Sequence, residues 1–431
     1  MLSSATSWGR SVMASEWPIV RIEDIADKIA MGPFGSNIKV ETFVETGVPV
    51  ISGAHLRGVR VEDRDFNFVT EEHAEKMRNS NVFRGDVIFT HAGNISQVAY
   101  IPPNSQYERY VISQRQFYLR CDLSKADPVF ISYFFHSNEG RHKLLANASQ
   151  TGVPSIARPS SYLKTIELPL PPLEEQGAIA ETLGVLDDRI DNLHQTNATL
   201  EAIAAALFKS RFVDFDGVLP EDMQELELDL IPKGWRVGTL ADLCELNAAK
   251  WTDKKHPPTV RYIDLSGVSS NRIEAITEYA FDEAPSRARM HLREGDTIVG
   301  TVRPGNRAFA YIHMPDASLT GSTGFAVLSP RKPHYASFIY LAITRNEAIE
   351  RLANLADGAA YPAVRPNVVA ETPCVVAPDQ VIAEFSAVTK PMLERIERNS
   401  QQAATLATLR DTLLPRLISG RLRVSDAEAA I

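Results

Sequence analysis

The sequence predicts a mixed α/β (α+β) protein built twice over, with a lobe followed by a long helix and then the same pair again. Three observations predict it. Blocks of residues recur in one order across the two halves, each half ends in a long heptad-patterned segment, and short apolar runs bounded by Gly/Pro turns precede each of these segments.

The recurrence runs the length of the chain. Trp17-Pro-Ile-Val-Arg-Ile-Glu-Asp-Ile-Ala returns as Trp235-Arg-Val-Gly-Thr-Leu-Ala-Asp-Leu-Cys, and Arg84-Gly-Asp-Val-Ile-Phe as Glu294-Gly-Asp-Thr-Ile-Val. Gly93-Asn94 matches Gly305-Asn306, Phe117 matches Phe325, and Val153-Pro154-Ser155 matches Tyr361-Pro362-Ala363. Glu175-Gln176 then matches Asp379-Gln380. The first lobe spans residues 15–165 and its repeat 234–371, each of one domain's size.

Pro169, Pro171 and Pro172 hold the chain extended before a helix over 172–212. Its seam reads Ile179, Leu183, Leu186, Ile190, Leu193, Asn197, Leu200, Ala204, Leu207. The repeat over 378–420 reads Phe385, Thr389, Met392, Ile396, Asn399, Ala403, Leu406, Arg410, Leu413. Each seam carries an asparagine, the residue that fixes register when buried in a coiled coil. A helix of roughly 40 residues is about 60 Å long and needs a partner for its seam, and the nearest partner is its own duplicate. Between the first helix and the second lobe, residues 213–233 form an acidic linker with seven carboxylates against one lysine.

With 45 Lys+Arg against 54 Asp+Glu, the chain carries a formal charge of −9, which speaks against a protein that coats nucleic acid over its whole surface. The acidity lies largely in the first helix and the linker, which leaves the lobes near neutral. Cys121, Cys244 and Cys374 are too far apart for a zinc ribbon or a local disulfide framework and fit a reducing cytoplasm. The N-terminal segment lacks the apolar run of a secretory leader, and nowhere do 18 apolar residues follow one another. The expected localisation is cytoplasmic, with no membrane partner.

The inventory of chemistry is empty. The chain has no phosphate-binding glycine loop and no H-E-x-x-H. His136 and His142 are six residues apart, on different helix faces, and read as surface residues. Asp86 and Asp296 recur in Gly-Asp-Val/Thr-Ile; an aspartate that fixes a turn through backbone bonds accounts for them better than a catalytic acid. No catalytic, cofactor or metal residue is expected.

The chain resembles the DNA specificity subunit of type I restriction–modification enzymes. The resemblance rests on Gly32-Pro33-Phe34-Gly35-Ser36, Arg84-Gly-Asp-Val-Ile-Phe, Leu168-Pro-Leu-Pro-Pro-Leu-Glu-Glu-Gln-Gly-Ala-Ile-Ala and Leu413-Leu-Pro-Arg-Leu-Ile-Ser-Gly420. It covers the chain from Trp17 to Val424, and the second proline block is reduced to Ala377-Pro-Asp-Gln380. It implies two target-recognition domains, each reading half of a bipartite double-stranded DNA target. It also implies a pseudo-two-fold arrangement whose helices pair as an antiparallel coiled coil, set the spacer and dock two modification (methyltransferase) subunits. S-adenosylmethionine, ATP and Mg²⁺ would then belong to the modification and restriction (motor-nuclease) subunits.

Candidate base contacts are residues in turns where the halves share a backbone pattern and differ in chemistry, since Arg favours guanine and Asn or Gln adenine. Ser113-Gln114-Arg115-Gln116 is set against Gly321-Ser322-Thr323-Gly324, and His91-Ala-Gly-Asn94 against Arg303-Pro-Gly-Asn306-Arg307. Arg158, Tyr361 and Arg365 form a third group, and Lys39, Arg57, Arg60, Lys250, Lys254 and Lys255 read as phosphate contacts. Two rival functions are a self-sufficient DNA methyltransferase or nuclease with diverged motifs and a coiled-coil adaptor that binds protein alone.

Overall fold

The computed structural model describes residues 17–428 apart from 36, 150, 151, 227, 228, 359 and 360, so Ser36 and the N-terminal segment discussed above lie outside the described residues. The chain divides into two compact units. One runs up to Ile190 and resumes at Ala404; the other is Asp191–Ala403. The long helices Leu173–Lys209 and Asp379–Ile418 each contribute to both units.

In the first unit, Ala26–Met31, Gln116–Cys121, Val87–Thr90 and Val98–Tyr100 form an antiparallel sheet in that order. A second sheet has the order Asn67–Val69, Val48–Ile51, Arg109–Ile112, Asn81–Phe83, with its two central strands parallel. Ile19–Arg21 pairs with Glu167–Pro169, so this lobe closes at Pro169, just beyond the boundary of 165 read from sequence. The second unit repeats every step. Cys244–Leu246, Phe325–Pro330, Thr297–Gly300 and Phe309–Tyr311 form one sheet. Thr277–Ala280, Thr259–Ile263, Leu319–Ser322 and Ala288–His291 form the other, again with a parallel central pair. Arg236–Thr239 closes on Pro373–Val376, which extends the second lobe past 371. Residues 213–233 hold a hairpin, Met223–Leu226 with Asp229–Pro232.

The conserved strand pairing corrects the sequence alignment by small steps. Thr90 faces Gln116, and Gly300 faces Phe325, so Gln116 corresponds to Phe325 and Gln114-Arg115 to Thr323-Gly324. The backbone bond from His91 N–H to Arg115 O (2.8 Å) recurs from Thr301 N–H to Gly324 O (2.9 Å). Gly93 N–H to Pro154 O (2.9 Å) recurs as Arg303 N–H to Pro362 O (2.7 Å). Arg303, not Gly305, is therefore the counterpart of Gly93.

The proline block has a physical explanation. Gln176 is fully buried: its side-chain carbonyl accepts the Asp127 N–H (2.8 Å), and its amide donates to Pro171 O (2.8 Å) and Lys125 O (3.0 Å). These bonds satisfy backbone groups that the non-helical turn leaves unpaired and fasten the helix start to the lobe. In the second half Gln380 is exposed and bonds Glu384, and the neighbouring Asp379 takes over. Asp379 accepts from Tyr335 Oη (2.6 Å) and lies 2.8 Å from His334 Nε2 and 3.0 Å from Lys332 Nζ. Those three hold its carboxyl well below the usual carboxylate range, Tyr335 foremost.

In each unit one helix segment lies against the other. In the first, Leu183 and Leu186 share a core with Leu413, Leu414 and Leu417, and Arg410 pairs with Asp187 at 2.5 Å. In the second, Asn399 donates to Asn197 Oδ1 (2.8 Å), and Asn197 donates to Ile396 O and Ser400 Oγ (3.0 Å each). Within the second unit, the partner retreats from Asn399 to Phe385 as the first helix advances from Asn197 to Phe208, which is the antiparallel order. Ile179, Ile190, Leu193, Ala204, Phe385, Thr389, Ile396 and Ala403 are buried, and Leu200, Met392 and Leu406 partly so. Leu207 departs from the predicted seam: it is 38% exposed, while Phe208 is buried. A straight helix drifts against a 3.5-residue repeat, so by the last turns the buried face has moved on to Ala204, Phe208 and Phe212.

Candidate nucleic-acid interface

At one end of the first lobe, strand ends bring three segments together. His91 N–H bonds Arg115 O, Ile156 N–H bonds His91 O (2.9 Å), and Gly93 bonds Pro154. Gln114 and Arg115 are exposed at this corner, as are Asn94 and Arg158. Gln114 Nε2 donates to Ile38 O (3.2 Å), which ties in the loop that carries Lys39 and the exposed Phe34. His91 is half-buried with its Nε2 3.0 Å from Gln114 O, a bond that holds the corner together.

The second lobe uses the same backbone with other side chains. Val364 N–H bonds Thr301 O (2.9 Å), and Arg303 sits in left-handed backbone (φ 48°), where the first lobe has Gly93 (φ 90°). The Arg303 guanidinium lies 5.1 Å from the ring centre of Tyr361, which is 73% exposed. Asn306, Thr323 and Arg365 are exposed beside it. Across the turns the two residue types trade places: Gly93 stands opposite Arg115, and Arg303 stands opposite Gly324. Each lobe thus mounts an arginine at the same corner from the opposite turn.

Lys250, Lys254 and Lys255 are exposed on a loop that Trp251 pins down. Its ring stacks 4.1 Å from His291, its Nε1–H donates to Thr320 Oγ1 (2.9 Å), and its backbone N–H bonds Arg289 O (2.8 Å). Arg287, immediately before the strand Ala288–His291, is exposed, and its carbonyl accepts the Thr323 N–H (2.8 Å). Sequence reading missed Arg287, because it has no counterpart in a duplicated turn and no motif around it.

Several sequence candidates fall away. Gln116 is 1% exposed and spends its side chain on Ser113 and Thr90, because its register places it at a core strand position. Ser322 is fully buried for the same reason. Arg60 forms an ion pair with Asp188 of the first helix and donates to Tyr100 Oη (3.1 Å), so it fastens the helix to the lobe. Arg57 is exposed and lines a cavity with Tyr133, Arg141 and Arg410. Arg307 is half-buried, with Nη1 bonding Asn346 Oδ1 (2.9 Å). His136, read as a surface residue, lies half-buried with Nε2 2.7 Å from Val98 O.

Asp86 and Asp296 perform the turn role. Asp86 accepts Phe83 N–H (2.8 Å), and Asp296 accepts Arg293 N–H (2.7 Å). Asp86 also forms a two-point pair with Arg120 (2.8 and 2.7 Å). The strand register puts Ser329 where Arg120 stands, and burial pushes the Asp296 carboxyl up to about 6. Its unfolded value is 3.8, so between these values the folded state holds more protons. The resulting cost is absent below about pH 4 and fully present above about pH 6. Asp296→Asn is expected to raise stability by about 3 kcal/mol at pH 8 and by little at pH 4, measured as urea midpoints. An equal gain at both pH values would contradict the assignment.

Among the described residues, no helix is long and apolar enough to cross a membrane, and no group of three His, Cys, Asp or Glu is placed to hold a metal ion.

Residues 14–202 match the family model described as the type I restriction modification DNA specificity domain. The MjaIX type I restriction enzyme specificity subunit of Methanocaldococcus jannaschii is 28% identical over 280 residues, 62% of this chain and 63% of that protein. The chain thus aligns with a little under two thirds of that relative's length. The HindI specificity subunit of Haemophilus influenzae is 21% identical over 407 residues, covering 79% and 87% of the two chains. The crystal structure of a type I restriction–modification S subunit from M. genitalium shares the fold, with a TM-score of 0.55 and 19% identity over 93% of this chain and 96% of that one.

Proposed function

We propose that this chain, which belongs to the type I restriction–modification DNA specificity family through residues 14–202, reads a bipartite double-stranded DNA target, one half-site per lobe. The observation that carries this reading is the duplicated corner. Identical backbone bonds present Gln114 and Arg115 in one lobe and Arg303, Thr323 and Tyr361 in the other. Two readers built on one frame with different side chains are what two different half-sites require.

In this reading the chain performs no catalysis. Methyl transfer from S-adenosylmethionine and ATP- and Mg²⁺-dependent cleavage belong to modification and restriction subunits, two of the former docking on the paired helices. The near-neutral lobes support dependence on partners, because phosphate attraction supplies much of the affinity for DNA.

Methylome sequencing of the host with and without the gene tests the proposal. The expected result is a split methylated motif that disappears with the gene, and an unchanged methylome would refute it. Methyl transfer by the purified chain alone would instead favour the self-sufficient enzyme.

A further inference from the structure

The two lobes differ in one buried ion pair, and the difference leaves a vacancy. In the first lobe the Gly85-Asp86 turn carries the Asp86–Arg120 pair on adjacent antiparallel strands. In the second, the frame is kept. Gly295 N–H bonds Ile312 O (2.9 Å) as Gly85 N–H bonds Ile101 O (2.8 Å), and both glycines have left-handed φ (81° and 89°). The carboxylate is kept as well, 1% exposed. The guanidinium is not: Ser329 occupies that position, and among the described residues neither Asp296 Oδ1 nor Ser329 Oγ has a hydrogen-bond partner.

Both residues line a cavity of about 490 Å³ together with Arg293, Tyr311, Arg331 and Lys390. The cations of its wall are engaged elsewhere or present their backbone. Arg331 pairs with Glu245 at 3.3 Å, Lys390 lies 3.8 Å from Glu394, and Arg293 meets Asp296 through its N–H. Of the other two carboxylates of the wall, Glu245 has Arg331, and Glu294 lies 2.7 Å from His313 Nδ1. Among the described residues, Asp296 is thus the buried carboxylate of this wall with one oxygen that no donor reaches. A buried carboxylate with an empty lone-pair face costs its full desolvation unless a donor reaches it.

We propose that this cavity takes a guanidinium group from outside the chain, bound by Asp296 with Ser329 beside it, in the place that Arg120 fills for Asp86. The planar fork of a guanidinium fits a carboxylate at two points. The group can come from an arginine side chain of a partner subunit or from a free guanidinium compound. This inference is independent of the DNA-reading role.

The test uses the full chain with ¹³Cγ-labelled aspartate, the Asp296 resonance being assigned by its loss in Asp296→Asn. Arginine amide is titrated to 50 mM, with glycinamide as control. The expected result is a saturable shift of the Asp296 resonance with arginine amide alone. Ser329→Arg, which rebuilds the first lobe's pair, is expected to shift that resonance at the outset and abolish the response. No saturable shift in the wild-type chain, or the same shift in Ser329→Arg, overturns the proposal. In the assembled complex, a resonance already shifted and indifferent to arginine amide identifies a partner's arginine, and a retained response identifies a free compound.

Discussion

Arg303→Ala is expected to weaken recognition of one half-site by about 10- to 100-fold and to leave the other half-site unchanged. Arg115→Ala is expected to do the same to the opposite half-site. The magnitude follows from a bidentate arginine–base contact, worth about 1–3 kcal/mol of discrimination. The direction follows from the exchange of glycine and arginine between the paired turns, Gly93 with Arg115 and Arg303 with Gly324. Methylation of randomised duplexes by the assembled enzyme reads both halves at once. If either variant relaxes both halves, or neither, these arginines do not read bases. A uniform loss with a salt dependence lowered by about one unit would assign them to phosphates instead.

The largest expected loss of stability is at Phe338. Its ring is fully buried, 5.2 Å from Phe208 and 4.8 Å from Phe212, with Phe385 4.9 Å from Phe212. This cluster joins the lobe's helix Ala336–Thr344 to both long helices within the second unit. Phe338→Ala removes the ring from a site walled by the rings of Phe208 and Phe212, and the expected cost is about 3–5 kcal/mol. Phe338→Leu should cost about 1.5 kcal/mol or less, since most of the volume remains. Urea midpoints of the full chain measure both. Equal losses would show that the aromatic site collapses around either replacement and that the cavity argument is wrong.

The structure sorts the sequence reading by the range of the interaction involved. The duplication, the long helices and the asparagine in each seam were legible because apolar periodicity is a local property, repeated over many residues; that Asn197 meets Asn399 is a finding of the structure. The Leu168–Gln176 block stood out through the family resemblance, and its structural purpose lies in Gln176, which closes the backbone of the helix start. Leu207 failed because a seam written in heptads ignores the drift of a real helix toward Phe208.

The site was less legible. A shift of one residue in a strand exchanges inward and outward faces, and such a shift separates the exposed Gln114 and Arg115 from the buried Gln116. Arg60 looked like a phosphate contact until Asp188, 128 residues away, was found against it. The unpaired Asp296 is equally invisible in one dimension, since the aspartate is conserved between the halves and the missing arginine lies on another strand.

By itself, then, the sequence determined that two like lobes alternate with two helices that need a partner, and that the chain resembles a reader of DNA. Only the tertiary structure decided which side chains stand at the reading corner and which charges are already spent. Periodicity records where each element hides its apolar face. Partner choice depends on strand register and on contacts between residues more than a hundred positions apart, which no local pattern encodes.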